Sequence, residues 1–148
     1  MRDAAAEVIC DGDLAPYNFI YRGAEVHGII DFDNAFAGSR IEDLSNFVYR
    51  LAPLRASRNY AEGRWAADTD PFERVAVIVD TYGYLDWSLL ASLVIDKLEA
   101  MCGWINRHAA AGDPAVETHT RENHIGIYRA DIEWIRDNEQ QLRNAVRR

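Results

Sequence analysis

Hydrophobic residues fall in two rhythms along the chain, and the rhythm changes near residue 40. Before that point they form short β-type runs broken by glycine and aspartate: Val8-Ile9-Cys10, then Asn18 to Arg22, then Glu25 to Ile30. Gly23-Ala24 separates the last two runs and predicts a tight hairpin turn. Beyond residue 40 the spacing lengthens to three and four. Ile41, Leu44, Phe47, Val48 and Leu51 predict a helix that Pro53 stops. Residues 54–68 keep no period and read as a loop. Asp70-Pro71 supplies an N-cap and a first helical position for a helix reaching about Tyr82-Gly83. Asp86 caps the next, in which Leu90, Val94, Leu98, Met101, Ile105 and His108 keep one face and which Gly112 ends. Asp113-Pro114 opens a last helix holding Tyr128, Ile132, Ile135, Leu142 and Val146 in phase. These stripes, with Trp87, Trp104 and Trp134, read as core packing.

The pattern predicts a predominantly helical α+β domain over residues 1–148, with a loop and small hairpin in 1–40 and a helical body in 41–148. A chain of 148 residues, 49% of them hydrophobic, needs no disulfide or metal to fold. Its net charge of −8 argues against nucleic acid, because phosphate binding rewards a basic face. An acidic surface suits a cationic ligand or simple solubility. Fifteen of the sixteen basic residues are arginine, and Lys97 is the one lysine. Cys10 and Cys102 are isolated in apolar surroundings, which points to buried thiols and a reducing, cytoplasmic location. The N-terminus lacks the apolar core of a signal peptide, and no apolar run approaches the roughly eighteen residues of a membrane span. No membrane partner is expected.

Polar residues concentrate in Cys10-Asp-Gly-Asp-Leu-Ala-Pro-Tyr-Asn18 and, after the hairpin, in Ile30-Asp-Phe-Asp33. Asp13 and Asn18 share a loop, and a two-residue hairpin turn returns Asp31 beside Asn18. Two carboxylates and an amide oxygen then converge, a hard-oxygen set that suits Mg²⁺. Phosphoryl transfer of the kinase type uses such a set, with one Asp for the acceptor hydroxyl and an Asn and a second Asp for metal. Against the kinase pattern H-R-D-L-x-x-x-N, the chain matches at Asp13, Leu14 and Asn18, and Asp31-Phe32 begins as D-F-G does. The plainer reading is a turn-rich region using Asp and Asn for local hydrogen bonds.

Residues 8–52 resemble the catalytic half of the aminoglycoside phosphotransferase family, which includes choline-kinase-like enzymes and shares the protein-kinase-like fold. The family signature runs H-G-D-x-x-P-x-N, then a hairpin, then I-D-x-x-x-A and a helix near a D-L pair. Here Gly12, Asp13, Pro16 and Asn18 match, then Ile30, Asp31 and Ala35, then Asp43-Leu44. The resemblance implies the C-terminal lobe of that fold, with Asp13 as catalytic base and Asn18 and Asp31 as metal ligands. It also implies ATP and Mg²⁺, and a small hydroxylated acceptor that is cationic in one reading.

Two departures accompany the match. Asp11 stands where the family has histidine, so Asp11 and Asp33 form a candidate accessory acidic site. None of the nine glycines lies two positions from another, which rules out G-x-G-x-x-G, and Lys97 falls in a helix far downstream. A nucleotide-gripping N-lobe is therefore expected to be absent from this chain. The face carrying Tyr17, Phe19 and Tyr21 would then be covered in a homo-oligomer or by a partner chain.

Three functions follow: an ATP- and Mg²⁺-dependent phosphotransferase, a catalytically degenerate relative that binds a small molecule or a protein, and a metal-binding module built on Asp11, Asp13, Asp31 and Asp33. His27, His108, His119 and His124 have no zinc spacing and read as packing or surface residues. Glu99, Asp131, Glu133 and Asp137 read as a solvated helix face or as contacts for a cationic acceptor.

Overall fold

The structure, a computed structural model, describes residues 6–56, 65–83 and 86–147. The middle of the loop expected over 54–68 lies outside the described residues. Strand β1 (Val8–Cys10) does not join the hairpin that follows it. It runs antiparallel to β4 (Phe36–Gly38), with Val8 opposite Gly38 and Cys10 opposite Phe36. Between them stands the hairpin of β2 (Phe19–Arg22) and β3 (Glu25–Ile29), which closes Arg22 onto Glu25 across Gly23-Ala24 as predicted. A register shift at Ile20/Tyr21 twists it, and the Ile30 N–H extends its ladder by donating to the Asn18 carbonyl at 3.0 Å.

The sequence pattern does not announce β4, because three residues with a glycine carry no period. Its place is set by packing. A Cβ on Gly38 would come within 2.7 Å of the Phe36 ring and 3.0 Å of Cys10 Sγ, so a larger residue would push on both side chains where β4 meets β1. The pairing matters because it clamps the two ends of the polar segment together.

The helices begin where their caps predict. Before α1 (Arg40–Leu51), the Glu42 carboxylate accepts both the Ser39 N–H, at 2.7 Å, and the Ser39 hydroxyl, at 2.8 Å. Asp70 accepts from the N–H groups of Phe72 and Glu73 to start α2 (Pro71–Tyr82). Asp86 caps a 3₁₀ turn, Trp87–Leu89, that leads into α3 (Leu90–Ala110). The continuous last helix does not form. Asp113 caps a 3₁₀ turn at Pro114–Val116, followed by α4 (Glu117–Arg121), α5 (His124–Asp137) and α6 (Glu139–Ala145). Asn123 adopts a left-handed φ of 55°, which asparagine tolerates better than most residues, and the axis breaks there and again at Asn138. The breaks let α5 pack on α3 while α6 turns onto α2.

The apolar stripes meet in one core that includes Val48, Leu54, Val75, Ile105, Ile135 and Leu142, all buried. Cys10 and Cys102 are free thiols and buried, as their surroundings predict. Trp87 joins the core, whereas Trp134 stacks on Phe72 at 5.8 Å. The mostly helical α+β class expected from the sequence is the one observed. Among the described residues, no helix is long and apolar enough to cross a membrane.

Candidate functional site

The loop from Asp11 to Asn18 is held by hydrogen bonds, with Asp11, Ala15 and Asn18 buried. Asp43, in the first turn of α1, accepts the Asp11 N–H at 2.9 Å and the Gly12 N–H at 3.4 Å. Gly12 has φ +85°, and a Cβ there would come within 2.4 Å of the Asn34 carbonyl oxygen, so the loop passes the turn before β4 only as glycine. Asp11 is buried, and its Oδ1 accepts the Asp13 N–H at 3.0 Å while its Oδ2 has no hydrogen-bond partner. It is thus a brace inside the loop. A 3₁₀ turn at Pro16–Asn18 folds the chain back, so that Asn18 Nδ2 donates to the Asp13 carbonyl at 3.0 Å and lies 3.5 Å from Asp13 Oδ2.

Two groups that the sequence reading did not place complete this loop. The Tyr17 hydroxyl donates to the Asp13 carboxylate, 3.0 Å from each oxygen. That hydroxyl is pushed up to about 12, chiefly by desolvation and further by Asp13, with Arg50 opposing. Lys97, from the middle of α3, donates its Nζ to the Gly12 carbonyl. Burial pulls its ammonium below the usual lysine range, against the pull of Asp13, Asp43 and Asp11. Its signal in the sequence was a lone lysine in register with Leu90, Val94 and Met101, a charge placed on an apolar stripe.

Of the five predicted site residues, Asp13 and Asn18 touch directly. Asp31 lies one position beyond Ile30, the residue whose N–H reaches Asn18, and its carboxylate is exposed at a left-handed φ of 69°. Asp33 is exposed in a turn closed by the Ala35 N–H on the Phe32 carbonyl at 3.0 Å. Asp11 faces inward. Among the described residues no three carboxylate, histidine or cysteine side chains stand together as a metal site, so Asp11, Asp13, Asp31 and Asp33 do not gather into a four-carboxylate centre. Asn18 and Asp31, at the same end of the hairpin, each carry a hard oxygen, and Mg²⁺ typically takes only one or two protein groups. In donor chemistry they fit that ion.

Beside Asp13 opens a cleft of about 440 Å³. Asn46, Tyr49 and Arg50 of α1 line it together with Lys97 and Trp104 of α3, His119 of α4 and Tyr128 of α5. Trp104 is thus a cleft wall, in contact with His108 at 4.6 Å between ring centroids, and His108 is tied to Asp113 at 2.6 Å. His119 and His124 meet Nδ1 to Nδ1 at 2.6 Å across the break at Asn123, so one ring donates and the other accepts. The acidic helix residues lie elsewhere. Asp131 accepts from the Tyr49 hydroxyl and the Ala56 N–H, both at 2.8 Å, and Glu99 pairs with Arg136 at 2.8 Å on the surface. Glu133 and Asp137 are exposed and outside the cleft.

Residues 1–78 match the model of a family described as "Phosphotransferase enzyme family", a span that includes the loop, the hairpin and α1. No curated protein and no solved structure matches the chain.

Proposed function

The chain belongs to the phosphotransferase enzyme family, and on that premise we propose that it transfers a phosphoryl group from ATP to the hydroxyl of a small molecule seated in the cleft. Its architecture is then the C-terminal lobe of the kinase-like fold. The observation that carries the reading is the Asp13–Asn18 contact at the mouth of that cleft, held by loop bonds to Asp43, Asp11 and Lys97. Asp13 takes the proton of the acceptor hydroxyl as its oxygen attacks phosphorus, the bond to the bridging oxygen breaks, and ADP leaves. Asn18 and Asp31 are the residues that would hold Mg²⁺, which would supply positive charge to offset that of the phosphates. Asp43 and Asp11 fix the backbone that aims Asp13, and Tyr17 must swing off the Asp13 carboxylate for the acceptor to reach it.

That last requirement favours a second reading, in which Tyr17 keeps Asp13 covered and the chain binds its ligand without transfer. One assay separates the two. With γ-labelled ATP, Mg²⁺ and a panel of hydroxylated acceptors, labelled product is expected, and Asp13→Asn should lower its rate at least about a hundredfold, the lower end for loss of a general base. Absence of labelled product, or a rate that Asp13→Asn leaves intact, supports the binding reading instead.

A further inference from the structure

The cleft beside Asp13 has an unusual balance of polar groups. Asp13 is the one carboxylate among its lining residues, facing the cations Arg50 and Lys97. Asn46 is buried, at 3% exposure, and its Nδ2 has no hydrogen-bond partner. Arg50 lies one helical turn further along α1, and its Nε is buried with no partner either. Its guanidinium lies between two rings, 5.8 Å from Tyr17 and 5.4 Å from Tyr49, and has no ion-pair partner among the described residues. Lys97 gives one donor to Gly12 and has two more.

A buried N–H without an acceptor costs about 1–3 kcal/mol, so native proteins rarely leave two such groups on one wall. Both residues line the same cleft, where Lys97 adds a second cation, and an anionic oxygen would supply the acceptor that both lack. Planar guanidinium and amide donors suit a carboxylate or a phosphate, and the rings around them suit an apolar or aromatic body. A cationic acceptor would meet Arg50 and Lys97 with a single carboxylate to offset them.

We infer that the acceptor carries an oxyanion on an aromatic or apolar body, received by Asn46, Arg50 and Lys97 while its hydroxyl reaches Asp13. This deepens the phosphotransferase reading and rests on it for the identity of the ligand as acceptor. The same donors would take an oxyanion from another source, the phosphates of the nucleotide, so the test separates the two.

Isothermal calorimetry on the chain should compare 4-hydroxyphenylacetate, tyrosol and tyramine, which share one ring and differ in charge, and MgATP in a separate arm. The carboxylate is expected to bind at least about tenfold more tightly than the amine, with the alcohol between them. Arg50→Gln should abolish that preference, weakening the carboxylate and strengthening tyramine, while leaving the MgATP affinity unchanged. Asn46→Leu, which replaces an unpaired amide by a similar volume, should weaken the carboxylate about threefold and serves if Arg50→Gln does not fold. Equal or tighter binding of tyramine overturns the inference, as does binding of none of the three. A loss of MgATP affinity in Arg50→Gln equal to the loss for the carboxylate also overturns it, by giving the donors to the nucleotide. Binding is read without any phosphoryl transfer, so a silent transfer assay with an intact carboxylate preference would fail the reaction and keep the anion site.

Discussion

The two sides of Tyr49 treat buried polar groups differently. On one side Asp131, with no exposure, accepts the Tyr49 hydroxyl and the Ala56 N–H at 2.8 Å each and ties α5 to α1 and to the chain that follows it. On the other side Asn46 and Arg50 present N–H groups that nothing in the described chain accepts. The bonds to Asp131 serve the fold, and on that side the buried donor without a partner is Nε of Arg55, whose guanidinium lies over the Tyr49 ring at 5.2 Å. The Asn46 and Arg50 side is left open at a cleft, and an open set of donors is how a protein prepares for an anionic guest while staying folded without one. Tyr49 itself stays a phenol, pushed far above its usual range by burial and by Asp131.

The contrast breaks most visibly at Asp131. Asp131→Ala strands a buried hydroxyl and a backbone N–H, and should cost about 2–5 kcal/mol in urea unfolding. A cost below about 1 kcal/mol would mean that the bonds to Asp131 are not structural. Asp43→Ala comes next. It removes the acceptor of two loop N–H groups that are only partly buried, so about 1–2 kcal/mol is expected, with hydrogen exchange at Asp11 and Gly12 rising more than exchange in the helices.

Asn46→Leu sharpens the comparison from the other side, since deleting a donor that already lacks a partner should leave the urea midpoint nearly unchanged or raise it. A large drop there would show that the open side is closed after all. The smallest effect belongs to Tyr17. Its pKa is raised in the folded state, so the folded chain holds a proton that the unfolded chain has released between about pH 10 and 12. That contribution is full below pH 10 and lost as pH rises toward 12. It is modest because the ring as a whole is 62% exposed. Tyr17→Phe should flatten the fall in stability over that window without removing it, because Tyr49 titrates in the same direction; an unchanged slope would detach Tyr17 from Asp13.

Caps and turns were legible because their chemistry is local. Gly23-Ala24, Asp70-Pro71, Asp86 and Pro53 each act within a few residues, and the elements they bound appear where expected. β4 was illegible because a three-residue strand exists only through its partner β1. The breaks at Asn123 and Asn138 were hidden by an apolar phase that runs through both, so periodicity reported the buried face correctly and the continuity wrongly. Of the site, the loop pair Asp13 and Asn18 was legible five residues apart, while Lys97 lies 85 residues from the carbonyl it holds.

By itself the sequence determined the mostly helical class, the hairpin, the caps and the order Gly12, Asp13, Asn18, Asp31, since each depends on neighbours in the chain or on a fixed period. Tertiary structure alone decided that Asp11 would turn inward as a brace and that the lone lysine would close on the Asp11–Asn18 loop. It also decided that Asn46 and Arg50 would line a cleft without acceptors. Whether a polar group is satisfied depends on what packing brings to it from distant segments, and no local pattern contains that information.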